Sequence, residues 1–406
     1  MQELVFTLRA FARYIGYNYN IPQGGREMEL RFGMIGGGNG AFIGDVHRHG
    51  ALMDDMAVLV AGCFTRNQEN NLETGRKWHI KDESRIYNNY RDMAEQEAKR
   101  EDGIQFVAIT TPNISHYEIA KCFLENDIHV MCDKPLTFSL EQGEELEKIA
   151  GERDLLFGLT YTYSAYAAIR QMREMVRHGE IGDILHVVAE YPQDWVISSL
   201  VAEKSDQAKW RFDPDVIGAS LCTGDIGTHL EQLIVQSTGL EIKRVLARFD
   251  TYPRDLPLET NTTVLLDFGN QVTGTLWASQ IAIGYECTVR IRIFGTKGSL
   301  EWNHETPGLM KFTRINEPTQ TYSANREYFY PESRRLSRLP AGHPEGYFEA
   351  FGNIYHSFCE HLMARLENRE PEDYTYPTVT DGVKGMRFVK ACVASNAEGN
   401  VWKDVE

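Results

Sequence analysis

No run of this chain reaches the roughly 20 consecutive apolar residues of a membrane-crossing helix. A membrane partner is not expected. Positive charge is also short. Lys and Arg number 42 against 58 Asp and Glu, a formal net charge of −16. So acidic a surface repels phosphate backbones and anionic lipid, which argues against nucleic-acid binding. Cysteine is sparse and unpaired. The seven lie at 63, 122, 132, 222, 287, 359 and 392, with no Cys-x-x-Cys spacing. That excludes a disulfide framework and fits free thiols in a reducing cytoplasm. The histidines show neither His-x-x-x-His nor His-Glu-x-x-His spacing, so no metal site is expected. Internal repeats and low-complexity tracts are missing. What is left is a chain of 406 residues with ordinary globular composition, 42% hydrophobic and 25% charged, long enough for two domains.

Residues 1–29 read as a leader outside the fold. Leu4, Leu8, Phe11 and Ile15 have helical spacing, but Arg9 and Arg13 interrupt the apolar core that an export signal requires. Met28 sits just ahead of the first strand. A docked contact helix is the alternative reading.

The stretch Arg31 to Gly44 organises the chain. Leu30, Phe32, Met34 and Ile35 form an apolar strand that runs into a glycine-rich turn. Gly36, Gly38 and Ala41 fit the G-x-G-x-x-G/A pattern of a dinucleotide-binding turn. The glycines allow a tight turn and close approach to a pyrophosphate, and Ala41 is small enough for helix and strand to pack. The helix start then offers free N–H groups to the phosphates.

From 30 to 163 strands alternate with helical patterns, the mark of a parallel sheet with crossover helices. Strands are expected at Ala57–Cys63, Ile104–Thr110, Ile128–Cys132 and Leu155–Thr160. Ser139 and Gln142 form a capping box opening the next helix. The second strand leaves through Cys63-Phe64-Thr65-Arg66-Asn67, with no carboxylate for a ribose 2′-hydroxyl. Arg66 can pair a 2′-phosphate or simply stay solvated. The fold class is therefore α/β, a doubly wound Rossmann sheet, followed from 164 to 406 by an α+β domain with a large, mostly antiparallel open sheet. There, long alternating strands at Ile184–Tyr191, Lys243–Tyr252, Asn261–Ile281 and Cys287–Trp302 are folded by turns at 268–271 and 295–298. Residues 303–345 read as a long surface excursion, and two helices close the chain. An uncovered sheet face bearing Val289, Ile291 and Ile293, or their neighbours if the register slips by one, points to a homo-oligomer.

Three groups of residues carry chemistry. Thr111-Pro112-Asn113-Ile114-Ser115-His116 and Asp133-Lys134-Pro135 stand at strand ends, where open parallel sheets bind ligands. A lysine there can reach a substrate hydroxyl. Asp225 and His229, spaced i, i+4, share one face of a helix and together can accept a hydroxyl proton.

Glycine turn, Thr-Pro-Asn-x-x-His, Asp-Lys-Pro and Asp-x-Gly-x-His follow in that order. Together they resemble the Gfo/Idh/MocA family, relatives of glucose–fructose oxidoreductase and inositol dehydrogenase, over about residues 30–400. The resemblance implies that Lys134 is the catalytic lysine, His229 the proton-transferring histidine and Asp225 a substrate-orienting carboxylate. It implies a cofactor, NAD or NADP, held by Gly36, Gly38, Asn39, Gly40, Ala41, Phe42 and Ile43. Thr65, Arg66, Thr111, Pro112, Asn113, His116, Asp133 and Lys134 complete that set. Asp133 departs from the pattern, since many members carry Glu there. Tyr191–Trp195 and Gly342–Tyr347 resemble a branch that includes bacterial glucoside 3-dehydrogenases. Sugars are read by polar groups and aromatic faces, and Tyr161, Tyr163, Gln193, Asp194, Trp195, Trp210 and Arg211 are of the right types. The expected activity is oxidation of a secondary hydroxyl of a small-molecule sugar, glycoside or cyclitol in the cytoplasm. An NAD-dependent glycosidase using transient C3 oxidation, or a non-catalytic nucleotide sensor, are the alternatives.

Overall fold

A computed structural model describes residues 29–201, 212–371 and 375–406. Most of the expected leader, Trp210 and Arg211 lie outside the described residues. The first half is a five-stranded parallel sheet ordered β2-β1-β3-β4-β5. Its strands are β1 (Leu30–Gly36), β2 (Ala57–Cys63), β3 (Phe106–Thr110), β4 (His129–Cys132) and β5 (Phe157–Leu159). β3 is buried at every position, as strands covered by helices on both faces must be. The covering helices are α1 (Phe42–Leu52), α2 (Gln68–Lys77), α3 (Tyr90–Glu97), α4 (His116–Glu125) and α5 (Leu140–Glu152). α5 begins with the expected capping box, Ser139 and Gln142 exchanging bonds of 3.4 Å. From β1 the sheet grows one way to β2 and the other way to β3. That switch point is where a crevice opens above an α/β sheet.

The second half starts with α6 (Ala167–Arg177) and builds a nine-stranded sheet ordered β13-β12-β11-β10-β6-β9-β8-β7-β14. Its strands are β6 (Ile184–Pro192), β7 (Arg244–Asp250), β8 (Asn261–Gly269), β9 (Val272–Ser279), β10 (Arg290–Gly295), β11 (Gly298–Asn303), β12 (Leu309–Arg314), β13 (Gln320–Ser323) and β14 (Lys403–Asp404). Neighbours are antiparallel except β6 and β9. Two other helices frame this half, α7 (Trp195–Val201) and α8 (Thr228–Thr238).

The sheet register settles which residues are covered. Val289, Ile291 and Ile293 are fully buried and belong to the face packed on helices, with Val187, Ala189 and Leu276. The open face takes their neighbours instead. Arg290 pairs with Glu301 at 2.8 Å and Arg292 with Glu190 at 2.7 Å, beside Leu265, Trp277 and Phe294. The segment 303–345 is also corrected. It carries β12 and β13, because Met310 and Phe312 alternate inward beneath a surface rich in Pro and Arg. Further on, Arg338 bonds Asp54 at 2.9 and 2.6 Å, tying the segment to the first half.

The closing helices are α9 (Tyr347–Leu366) and α10 (Val379–Ala397). α9 returns to the first half and lies on α1. Phe351 and Tyr355 meet the His47 ring, and Phe358 meets Phe106 at 5.3 Å. The apolar core thus runs from the first sheet through α9 to the second. Burying each such side chain contributes about 1.5–3 kcal/mol. No helix among the described residues is long and apolar enough to cross a membrane.

Candidate active site

The glycine turn is shaped by contacts that exclude a Cβ. Gly36 has φ +88°, and a Cβ there would lie 2.9 Å from the Thr110 carbonyl carbon on β3. Gly44, in the first turn of α1, presses on Gly37 so closely that its Cβ would sit 2.2 Å from the Gly37 Cα. The closest helix-to-turn approach is therefore at Gly44, beyond the glycine-pattern position Ala41. Ala41 is the N-cap of α1 and makes no side-chain bond there. First-turn N–H groups are left for a pyrophosphate, so the residues present fit a dinucleotide. Asn39 braces the turn on α2, its N–H meeting Asn70 Oδ1 and Thr74 Oγ1 at 3.0 Å each. Thr65 lies against Gly38, and Gly40 faces open space. Arg66 is exposed and has no partner among the described residues.

Ala41, Phe42 and Ile43 line one end of a cleft of about 1070 Å³, with Thr111, Pro112 and Asn113 opposite. Asn113 Nδ2 donates to Ile217 O at 3.3 Å, closing the loop onto the second half. His116 is not in the cleft lining. It is buried behind these loops, its ring nitrogens 2.9 Å from Pro135 O and 2.8 Å from Thr111 O. It pins the two strand-end loops together.

At the end of β4, Asp133 Oδ1 accepts from Lys134 N and Thr160 Oγ1, both at 2.9 Å, with His47 Nε2 at 3.6 Å. Burial pushes this carboxyl up, but His47 and the Lys134 charge outweigh it and hold Asp133 well below the usual range. Lys134 Nζ donates to Asp225 Oδ1 at 2.8 Å and to Asp225 O at 2.9 Å. Asp225 sits in a wide π-helical turn, Thr223–Gly227, that leads into α8. Such turns recur at functional sites because they re-aim side chains. The simple i, i+4 helix face is replaced by this turn, yet Asp225 and His229 both line the cleft.

His229 is 7% exposed and stands edge-on to Tyr163 at 4.8 Å and Tyr161 at 5.7 Å. Burial, then the Lys134 charge, drives its pKa well below the usual value, so the imidazole is neutral at physiological pH. Its Nδ1 is buried without a partner, which leaves Nε2 to the cleft.

Tyr163, Gln193 and Trp195 line the cleft as expected. Tyr161 is buried behind His229, and Asp194 lies outside the lining. Tyr191 and Tyr347 also line it. Neither was in the expected substrate set, although both lie in the two runs that carry the resemblance to glucoside 3-dehydrogenases. The lining also includes the apolar side chains Phe138, Leu140, Ile217, Met386, Val389 and Val393, interleaved with Ser139 and with Glu141 and Lys390, which bond each other at 3.3 Å. The apolar ones come from the start of α5 and the residue before its cap, from α10 and from a distant short helix, Pro214–Ile217, and no local pattern announces them. Among the described residues, no group of three or more His, Cys, Asp or Glu could hold a metal ion.

Comparisons with known proteins agree with this architecture. Residues 30–161 match a family model described as oxidoreductase family, NAD-binding Rossmann fold. Residues 169–301 match one described as GFO/IDH/MocA C-terminal domain. The chain is 38% identical over 382 residues to the uncharacterized oxidoreductase YfiI of Bacillus subtilis, covering 92% of this chain and 96% of that protein. A crystal structure of an inositol dehydrogenase homolog complexed with NAD+, from Azotobacter vinelandii, superposes with TM-score 0.89 and 36% identity, covering 93% of this chain and 98% of that one. An inositol dehydrogenase homolog from the same organism complexed with NADH and myo-inositol gives 0.87 and 35%, with the same coverage.

Proposed function

The chain belongs to the Gfo/Idh/MocA oxidoreductase family and is an NAD(P)-dependent oxidoreductase; from that premise we propose that it oxidises one secondary hydroxyl of a sugar, glycoside or cyclitol to the ketone. The observation that carries the proposal is the meeting of Lys134, Asp225 and neutral His229 in one cleft with the glycine turn. An ammonium has three donors, and Lys134 places two on Asp225. The third is left for the substrate oxygen, where it steadies the negative charge that develops as the proton leaves. His229 Nε2 takes that proton, and the bound nicotinamide supplies the acceptor for hydride. Asp225 orients the lysine, and Tyr163, Tyr191 and Trp195 offer aromatic faces to the ring, the two tyrosine hydroxyls being bonded to each other at 2.6 Å and to Cys287 Sγ.

Myo-inositol in the related complex supports a polyol of this size. The apolar residues among the cleft lining support more than a bare polyol. The cleft of about 1070 Å³ is shared between the dinucleotide and the substrate, so it is the apolar lining and not the volume that speaks for an aglycone. We favour a glycoside whose aglycone lies along Phe138, Met386 and Val389, with oxidation on the sugar ring. The division into leader (1–29), cofactor unit (30–163) and substrate and assembly unit (164–406) belongs to the same proposal, as do a homo-oligomeric state and a cytoplasmic site of action.

The test is a panel of free sugars, methyl and aryl glycosides and inositols with NAD+ and NADP+, followed by absorbance of the reduced cofactor. Aryl glycosides should show the highest kcat/KM. Free inositols outrunning every glycoside would remove the aglycone. Release of aglycone without net reduced cofactor would replace the dehydrogenase by a redox-dependent glycosidase. Arg66 predicts that NADP is at least tolerated, and a preference for NAD above ~100-fold (about 2.7 kcal/mol) would show that it does not face the 2′ position.

A further inference from the structure

We propose that Gln280 is a positioning residue of the reaction centre, fixing the plane of the Asp225 carboxylate and through it the aim of Lys134. The inference rests on the roles given to Lys134 and Asp225 above. Gln280 follows β9 directly and is fully buried. Its backbone is anchored on both sides, N–H to Thr260 O at 2.8 Å and carbonyl to Val196 N at 3.1 Å. Its Nε2 donates to Asp225 Oδ2 at 3.1 Å, while Oδ1 accepts from Lys134 Nζ at 2.8 Å. One carboxylate oxygen is thus addressed from the first sheet and the other from the second.

A carboxylate turns easily about its last side-chain torsion, which is broad and two-fold. Addressed at both oxygens, its plane is set, and so is the direction in which it draws the lysine. The backbone of the turn has a separate support. Glu259 Oε1 accepts from Ser220 Oγ at 2.6 Å and Thr223 N at 2.9 Å. Orientation of the carboxylate is therefore what Gln280 adds. A second observation separates this from mere packing. The Gln280 Oε1 is buried and has no partner. An orphaned amide oxygen is a cost that an apolar side chain of similar size avoids. The amide is worth keeping here for its N–H.

Two variants test the proposal, read against Lys134, His229, Cys222 and Tyr347 as the charged or titratable neighbours of Asp225. Gln280→Leu should lower kcat by about 10–100-fold, the usual effect of losing a bond to a charged group, with NADH affinity and melting temperature kept. Gln280→Glu sets two carboxyls face to face, so one binds a proton at raised pH. Once protonated, the introduced carboxyl donates to Asp225 as the amide did. Its activity should recover on acidification, and that of Gln280→Leu should not. A crystal structure of Gln280→Leu should show Asp225 Oδ1 turned away from Lys134 Nζ. The proposal is overturned by Gln280→Leu within about twofold of wild-type kcat, by matching pH profiles, or by an unmoved carboxylate. Loss of NADH binding or early melting at every pH would assign Gln280 to the framework, which also overturns it. If instead the wild type oxidises no polyol, the functional reading fails by itself, and the carboxylate position still decides this proposal.

Discussion

Lys134→Ala deletes the donor that steers the substrate oxygen. The chemical step should slow by about 10²–10⁴-fold, while NADH titration shows binding largely kept. Single-turnover kinetics check this, and a wild-type rate would remove Lys134 from the mechanism. A second residue, Glu231, makes stability depend on pH. It sits two positions after His229 in α8, where burial, then Asp381, pushes its carboxyl up to about 8. Between about pH 4.5 and 8 the folded chain holds a proton that the unfolded chain has released. This contribution to stability is full below the unfolded value and is lost as pH rises through the folded one. Glu231→Gln cannot ionise. Its urea midpoint should match wild type near pH 4 and exceed it near pH 9; equal midpoints at both would refute the assignment. Lys134 and His229 are legible in the sequence because a short motif announces each. Glu231 is not, since its state depends on a helix some 150 residues away, closed over it only by the fold.

Among the elements, the junction of β1, the turn and α1 is the most exacting. Gly44→Ala places a methyl 2.2 Å from the Gly37 Cα, so either the helix or the turn must shift. NADH affinity should fall at least tenfold, about 1.4 kcal/mol, by isothermal titration, while the second sheet keeps its melting behaviour. Unchanged affinity would show that the close approach is not needed for the cofactor. Signals that act over a few residues were easy to read here. The capping box at Ser139 and the turns at 268–271 and 295–298 depend on neighbours in the chain, and the structure has them in place. Two readings needed tertiary information. β12 and β13 hide in polar composition because only alternate positions meet the core. The strand face bearing Ile291 and Ile293 could be read either way, since a slip of one residue exchanges the faces and the helices beneath decide.

For the whole molecule, the open face of the nine-stranded sheet is where we expect copies of the chain to meet. Leu265, Trp277 and Phe294 stand there among paired charges, a mixture suited to an interface with apolar spots and a polar frame. Light scattering at micromolar concentration should give a multiple of 46.3 kDa. A single-chain mass would sink this expectation, and a multiple that survives deletion of residues 1–27 would dismiss the leader as the contact. The return of α9 has a consequence in time. The first sheet is complete in strands by Leu159, but Phe351, Tyr355 and Phe358, which cover His47 and Phe106, are made only after the whole of the second sheet up to β13. A nascent chain halted before residue 347 carries an unfinished core out of the ribosome, with apolar surface open to chaperones and proteases. Chains arrested there should be cleaved rapidly by added protease and become resistant only once α9 has emerged. A protected first half at the earlier stage would mean that the sheet closes on its own and that α9 is a late addition to a finished unit.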